Sequence, residues 1–233
     1  MKISVVIPAY NEEKYIGKTL ESIKKLDPGE HKLEILVIDG DSTDKTAQIA
    51  KSHGAIVHHE PHRGIGFARQ HGIKHAKGEI IAFTDADTIV SKDWLLRHIA
   101  ILNKPGVVLS LGVFSLYDSS FPYYQFMNYF LAPVMWISNK VFKVPMAVGQ
   151  NMAFWKQRGL DIGGFNQDLK LAEDFDFAVR MKRVGKVVFS YNLCVESSGR
   201  RSQEGWKFFS RNIRLFTKYF FGDRKLSKFP DYR

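Results

Sequence analysis

Apolar residues arrive in short blocks along the first half of the chain, and turn residues separate them. Ile3–Ile7 is a β-branched run closed by Pro8, and Leu33–Ile38, Ala55–His59 and Glu79–Thr84 repeat it as strand-length segments. Between them the apolar spacing becomes helical. Asn11 reads as an N-cap with Glu12 and Glu13 in the first turn, ahead of Ile16, Leu20 and Ile23. Asp39–Asp44 is a cluster of turn and cap residues opening a second helix that stops near Gly54, and Gly64–Ala76 reads as a third helix, closed by Gly78. The strands look buried throughout rather than alternating, which implies βαβ units and a mostly parallel sheet. The expected fold is therefore α/β, a twisted sheet flanked by helices. Such sheets bind ligands at the C-terminal ends of their strands, which directs attention to the residues after Ile7, Ile38 and Thr84.

The second half is less regular. Val107–Phe114 predicts a strand, Glu173–Val184 a helix and Lys186–Asn192 a strand. Phe121–Val144 is aromatic-rich, but Gln125, Asn128, Asn139 and Lys140 interrupt it and Pro133 would kink it. It reads as a kinked or interfacial helix rather than a membrane span. A last helix is expected over Glu204–Phe221. Trp206, Phe209, Ile213, Phe216 and Phe220 line one face of it, and Lys207, Arg211, Arg214 and Lys218 lie elsewhere around it. Aromatics on one side and cations on another describe an interfacial helix, and packing of the stripe on the sheet is the alternative.

Composition changes this picture in two places. A length of 233 residues suits one domain, and 45% hydrophobic with 25% charged residues is ordinary for a globular protein. The net charge of +10, however, is not spread evenly. Residues 1–179 balance, so the whole excess lies in residues 180–233, with 14 Lys/Arg against 4 Asp/Glu. A basic end on a neutral body implies an acidic partner: nucleic acid, anionic lipid or a diphosphate ligand. The lone Cys194 excludes a disulfide scaffold, and the first apolar run is too short for a signal peptide. A reducing, cytoplasmic location is expected.

Asp85-Ala86-Asp87 ends the fourth predicted strand. In an extended chain these two carboxylates face the same side and converge on one hard cation such as Mg²⁺ or Mn²⁺, which bridges to phosphate oxygens. The spacing alone is weak evidence. Asp39-Gly40-Asp41 and Asp174-Phe175-Asp176 repeat it, and carboxylates also cap turns. Gly64-Ile65-Gly66-Phe67-Ala68-Arg69 places glycines at a helix start and an arginine one turn on, which suits an anionic diphosphate. A nicotinamide site would need a glycine-rich turn after the first strand, where Pro8-Ala9-Tyr10-Asn11 stands instead. His58, His59, His62, His71 and His75 crowd one region, with His71 and His75 on one helix face. No cysteine lies near and the spacing matches no known zinc set, so a zinc site is not expected.

In order along the chain, Val5–Glu13, Val37–Asp44, Asp85-Ala86-Asp87 and Glu173-Asp174 resemble the family 2 glycosyltransferases of GT-A fold. Gly64, Ala68, Arg69, Gly72, Ala76 and Gly78 fall on that family's glycine- and alanine-spaced helix, with His62 and Gln70 where asparagine is usual. The resemblance covers roughly residues 3–184. It implies that Pro8, Ala9, Tyr10 and Glu12 border the nucleoside and that Asp39 hydrogen-bonds the base. Arg69 would approach the diphosphate or ribose. Asp85, Ala86 and Asp87 would lie along the ribose and a divalent cation (Mn²⁺ or Mg²⁺), with Asp87 the surest metal ligand and Asp85 the second. Asp174 would be the general base, or would orient the acceptor where that is already a phosphate. The bland alternative for Glu173-Asp174 is helix N-terminal charge. Gly149-Gln150-Asn151 resembles the family's acceptor-side loop and Gly163-Gly164-Phe165 the turn after it; either could equally be a plain backbone turn.

Two departures refine the expectation. The Gln-x-x-Arg-Trp of processive synthases is replaced by Gln203-Glu204-Gly205-Trp206, which favours transfer of a single sugar. The histidine that some relatives add to the metal is absent from Glu196–Arg201, so the metal would lean on water and phosphate, and Arg200 and Arg201 are candidates to clamp the diphosphate. The implied protein is one domain over 1–233: a nucleotide-sugar half over about 1–105, an acceptor half over about 106–200, and a basic tail over about 203–233. It would be an inverting, metal-dependent enzyme taking a UDP- or GDP-linked sugar to a glycan or polyprenyl-phosphate acceptor at the cytoplasmic face of a membrane, with no nucleic acid as partner. The rivals are a nucleotidyltransferase, which needs a glycine-rich basic loop after the first strand, and a non-catalytic membrane- or nucleic-acid-binding module, against which intact Asp85, Asp87 and Asp174 argue.

Overall fold

The computed structural model describes residues 1–118, 129, 132–141, 145–169 and 172–200. Strands β1 (Lys2–Ala9), β2 (Lys32–Asp39), β3 (Ile56–His59) and β4 (Ile80–Phe83) pair in parallel in the order β3-β2-β1-β4. Helices α1 (Ile16–Lys24), α2 (Thr46–Ser52) and α3 (Ile65–His75) make the crossovers. Both faces of β1 are covered. Ile3, Val5 and Ile7 pack with Ile16, Leu20 and Ile23 of α1, while Val6 packs with Leu36, Ile38 and with Ala68 and Ile73 of α3. Burial on two sides is why these strands read as continuous apolar runs. At Gly72 a Cβ would stand 2.4 Å from Val6 Cγ1, so the missing side chain lets α3 lie close against β1.

The sheet continues past β4. β7 (Met152–Trp155) runs antiparallel to β4 and to β6 (Val107–Leu116). β6 pairs in parallel with β8 (Lys186–Ser197), which carries β5 (Thr88–Ile89) at the far edge. The order is β3-β2-β1-β4-β7-β6-β8-β5, one sheet through both halves of the described chain. Helices α4 (Trp94–Leu102), α5 (Ala132–Lys140), α6 (Lys156–Asp161) and α7 (Glu173–Met181) complete the elements.

Several expectations need correction. The first helix starts at Ile16, and Asn11 is no N-cap. It takes a left-handed conformation (φ 53°), its Oδ1 accepts the Thr43 N–H at 2.9 Å, and its own N–H donates to Ser42 Oγ. Asparagine tolerates that conformation better than most residues, so it serves the loop rather than the helix. Pro133 falls in the first turn of α5, where its missing N–H leaves no helical bond unmade, so it kinks nothing. The remainder of Phe121–Val144, apart from Tyr129, Val141 and residues 132–140, lies outside the described residues, as does the whole of Glu204–Phe221. The elements α4, β7, α6 and β5 were not anticipated. In α4 the residues Trp94, Leu95, His98, Ile99, Ile101 and Leu102 are buried at helical spacing, but Leu96 and Ala100 on the other side are apolar too, so the stripe stands out poorly in the sequence. β7 passes into α6 with no turn residue between them.

Candidate active site

The loops after β1 and β2 meet the start of α3 around a pocket lined by Pro8, Ala9, Tyr10, Gly40, Arg63, Gly64 and Ala68. The Gly40 N–H donates to the Ala9 carbonyl at 2.8 Å and ties the first two loops together. Asp39, the last residue of β2, is 5% exposed. Its Oδ2 accepts the Ser42 N–H at 3.3 Å, while its buried Oδ1 has no hydrogen-bond partner among the described residues. Arg63, which no sequence motif singled out, holds its guanidinium 5.3 Å from the centre of the Tyr10 ring. Its position just before the Gly64-Ile65-Gly66 helix start was the available signal.

Asp85-Ala86-Asp87 is not extended. It forms a turn between β4 and β5, with the Thr88 N–H donating to the Asp85 carbonyl at 3.2 Å. Ala86 is buried, and its carbonyl accepts the Thr19 hydroxyl at 2.8 Å. Each of the two carboxylates meets a different arginine. Asp85 Oδ1 lies 3.2 Å from Arg69 Nη2, and Asp87 Oδ2 lies 3.0 Å from Arg200 Nη2. Arg200 also grips Glu12 with both terminal nitrogens and lies 4.6 Å from the Tyr15 ring centre. Burial works against its charge, yet the Glu12 hydrogen bonds and the Asp87 carboxylate more than offset that and hold its pKa above the ordinary arginine value. The other two Asp-x-Asp copies part company here. Asp176 pairs with Arg180 along α7, and Asp41 sits exposed beside His59.

Arg69 is not placed as a free cation for a diphosphate. It is 3% exposed and is held between Asp85 and Glu173, its Nη1 donating to Glu173 Oε1. A Cβ at Gly149 would lie 1.9 Å from its Nη2, so the glycine makes the room this guanidinium occupies. Arg69 therefore ties Asp85 to the start of α7.

Asp174 stands in the first turn of α7. Its Oδ2 accepts the Gly149 N–H at 2.8 Å and its Oδ1 the Phe175 N–H at 2.7 Å. Burial raises its pKa above the usual aspartate value, against the Arg69 charge and the two backbone hydrogen bonds. The structure thus brings Asp85, Asp174, Glu173 and Arg69 into one network, with Glu12, Asp87 and Arg200 in a second group reached through the Asp85–Asp87 turn. Arg201 lies outside the described residues.

Asp85 and Asp87 suit a hard divalent cation chemically. Both offer carboxylate oxygens at a strand end, and Asp85 Oδ2 has no partner among the described residues. Among those residues no third His, Cys, Asp or Glu converges with them, so phosphate and water oxygens would fill the remaining positions.

The side chains of the two acceptor-side loops are held by the fold. Asn151 is fully buried. Its Oδ1 accepts from Trp94 Nε1 (2.9 Å) and His98 Nε2 (3.0 Å), and its Nδ2 donates to the Val113 and Leu193 carbonyls. Gln150 Oε1 accepts the Ser197 hydroxyl at 3.1 Å. Gln70 holds the Gly163-Gly164-Phe165 turn by accepting the Phe165 N–H at 2.8 Å. The histidines also depart from expectation, since His58, His71 and His75 converge.

A parallel β3-β2-β1-β4 unit extended through an antiparallel β7, with carboxylates gathered at the strand ends, is the GT-A-type arrangement. Residues 4–158 match the family model of Glycosyl transferase family 2, and the chain belongs to that family. It is 34% identical over 110 residues to the poly(ribitol-phosphate) β-N-acetylglucosaminyltransferase TarS of Staphylococcus aureus (strain Mu50), a stretch covering 45% of this chain and 19% of TarS. It is 35% identical over 104 residues, 42% of this chain and 32% of the relative, to a dolichyl N-acetyl-α-D-glucosaminyl phosphate 3-β-D-2,3-diacetamido-2,3-dideoxy-β-D-glucuronosyltransferase of Methanococcus voltae. The chain thus spans a third or less of the length of these relatives. The solved mannosyltransferase PcManGT of Pyrobaculum calidifontis, in complex with GDP-Man and Mn²⁺, superposes with a TM-score of 0.69 at 23% identity, over 91% of this chain and 64% of that one.

Proposed function

We propose that this chain is an inverting, non-processive glycosyltransferase moving one sugar from a UDP- or GDP-linked donor to a lipid-linked acceptor, with Mn²⁺ or Mg²⁺ at the diphosphate. The observation that carries the reading is Asp39 Oδ1, buried without a partner among the described residues next to a pocket walled by Pro8, Ala9 and Tyr10. An unsatisfied buried carboxylate oxygen is costly, and an N–H of a nucleobase would satisfy it. Tyr10 then borders the base, and Arg63 faces the ring from outside.

Asp85 and Asp87 would hold the divalent cation, whose Lewis acidity would offset the charge of the departing diphosphate. Arg200 adds a fixed positive charge beside Asp87. Arg69 keeps Asp85 and the start of α7 in register. Asp174 takes the proton of the acceptor hydroxyl as that oxygen attacks the anomeric carbon from the face opposite the diphosphate, which inverts the centre. A carboxylate with a raised pKa is the stronger base for this step. A phosphate acceptor needs no base, and Asp174 then orients it.

Three observations support a lipid-linked acceptor, met by a peripheral enzyme at the cytoplasmic face. The excess positive charge is confined to residues 180–233. Trp136, Ile137 and Val141 are exposed on and just after α5. The Methanococcus voltae relative carries a dolichyl-linked sugar phosphate in its name. No helix among the described residues is long and apolar enough to cross a membrane.

The test has two arms. UDP or GDP should raise the melting temperature only with Mn²⁺ or Mg²⁺, and Asp87→Ala should abolish that shift with an unchanged circular dichroism spectrum. A full, metal-dependent shift in the variant would sink the assignment. Co-sedimentation with anionic liposomes should be strong at low salt and weak at high salt, because each Lys or Arg near the surface contributes about 1 kcal/mol. No binding at low salt would return the acceptor to a soluble glycan.

A further inference from the structure

The three histidines that converge lie on the outer side of the donor half, apart from the carboxylates. His58 belongs to β3, the edge strand, and His71 and His75 stand one turn apart on α3. One ligating nitrogen from each falls within 4.8 Å of the other two. His58 Nδ1 and His71 Nε2 are 3.4 Å apart. Two nitrogens on one tetrahedral zinc ion, each about 2.0–2.1 Å from it, stand roughly 3.3–3.4 Å apart.

The surroundings fix the tautomers that a metal requires. His71 Nδ1 lies 2.9 Å from Glu60 Oε2, so this nitrogen carries the proton and Nε2 keeps its lone pair. His75 Nδ1 lies 3.0 Å from the His71 carbonyl, which can only accept, so His75 Nε2 is likewise unprotonated. A carboxylate or a carbonyl behind a histidine is the usual outer shell of a metal site. Glu60 is suited to the part: it is buried, and its Oε1 is itself held by the His62 N–H at 2.9 Å. His59 and His62 take no part, since His59 faces Asp41 and His62 stacks on Phe67.

We propose that His58, His71 and His75 bind a late first-row transition ion, Zn²⁺ by preference, through three imidazole nitrogens with a fourth position open. Imidazole donors select such ions over Mg²⁺ and Mn²⁺, so this site and the carboxylate site discriminate between metals by ligand chemistry. The ion ties the edge strand β3 to α3, whose first residues wall the nucleotide pocket. Without an ion, a His58 N–H donated to His71 Nε2 satisfies the same pair, and the experiment separates the two states.

Chelator-treated full-length chain is titrated with Co²⁺, whose visible spectrum reports tetrahedral coordination. One equivalent should give that spectrum, and one equivalent of Zn²⁺ should displace it. Asp87→Ala should keep the signal. His75→Gln, at an exposed position, and His71→Gln should each weaken Co²⁺ binding at least tenfold, and Glu60→Gln by about tenfold or more, as loss of an outer-shell partner does. Zn²⁺ should raise the melting temperature of the parent chain and not of His75→Gln. Absence of a tetrahedral spectrum, or equal affinity in His75→Gln, overturns the proposal.

Discussion

Two buried polar networks cross the same sheet, one built of neutral groups and one of charges. The neutral one joins Trp94 and His98 of α4 to Asn151 and Ser110. Asn151 Oδ1 accepts from Trp94 Nε1 and His98 Nε2, and Ser110 Oγ donates to His98 Nδ1 at 2.9 Å. Every side-chain polar atom in it has a partner. The charged one gathers Arg69, Asp85, Glu173 and Asp174 at the strand ends. Near it Asp39 Oδ1, Arg69 Nε and Thr84 Oγ1 are buried with no partner among the described residues. The first network is complete within the fold. The second leaves hydrogen-bonding capacity unused at the strand ends, which is what the proposed donor site requires.

The sharpest way to test that contrast is to alter one atom of Asp174. Asp174→Asn should lower turnover on a hydroxyl acceptor by about 10²–10⁴-fold with donor affinity nearly unchanged, as for loss of a general base. Steady-state kinetics together with calorimetry of donor binding decides it, and near-parental turnover would assign the proton elsewhere or make the acceptor a phosphate. Next in size, Arg69→Met leaves Glu173 and Asp85 without their counter-charge, and breaking a buried pair in this way costs about 3–5 kcal/mol. The denaturation midpoint should fall accordingly. A loss under about 1 kcal/mol would mean that the carboxylates re-pair and that the network does not depend on this arginine.

Acid should expose the neutral network. Burial lowers the His98 pKa from 6.5 to about 4, so the folded state holds this ring neutral while the unfolded chain takes up a proton below pH 6.5. The stabilisation is complete above pH 6.5 and is lost as pH falls towards 4, amounting to about 3 kcal/mol. Stability measured across that window should be less steep by one proton in His98→Gln; an unchanged slope contradicts the assignment. The smallest effect concerns Asp39→Asn. Exchanging a charged acceptor for a neutral one should weaken nucleoside diphosphate binding by about tenfold or slightly more, with the melting temperature of the free protein unchanged. Equal affinity would remove Asp39 from the base.

The four parallel strands and their loops are legible in the sequence because each is a local signal: an apolar run, then cap or turn residues. The carboxylates at 39, 85, 87 and 174 are legible for the same reason, as motifs in a fixed order. Their surroundings are not. Asn151 meets Trp94 and His98 across more than fifty residues of chain, and Arg69 meets Glu173 across about a hundred. No spacing rule carries such pairs. Asp85-Ala86-Asp87 shows the boundary well, since its place at the end of β4 follows from pattern while its turned conformation depends on Thr19 and Thr88. The histidines show the reverse error. Along the chain they fit no metal spacing, yet the β3–α3 packing brings three of them together.

The antiparallel β7 also sets the order in which the chain can be completed during synthesis. β1, β2, β3 and β4 and their helices all lie before residue 84, so the pairings among them close within that stretch. The other edge of β4, Ile80-Ile81-Ala82-Phe83, is paired only when Met152–Trp155 has left the ribosome. At about 5–20 residues per second, an apolar strand edge therefore stands open on the nascent chain for several seconds. A chain truncated between Leu116 and Met152 keeps that edge permanently, and should aggregate through it rather than persist as a free half-molecule.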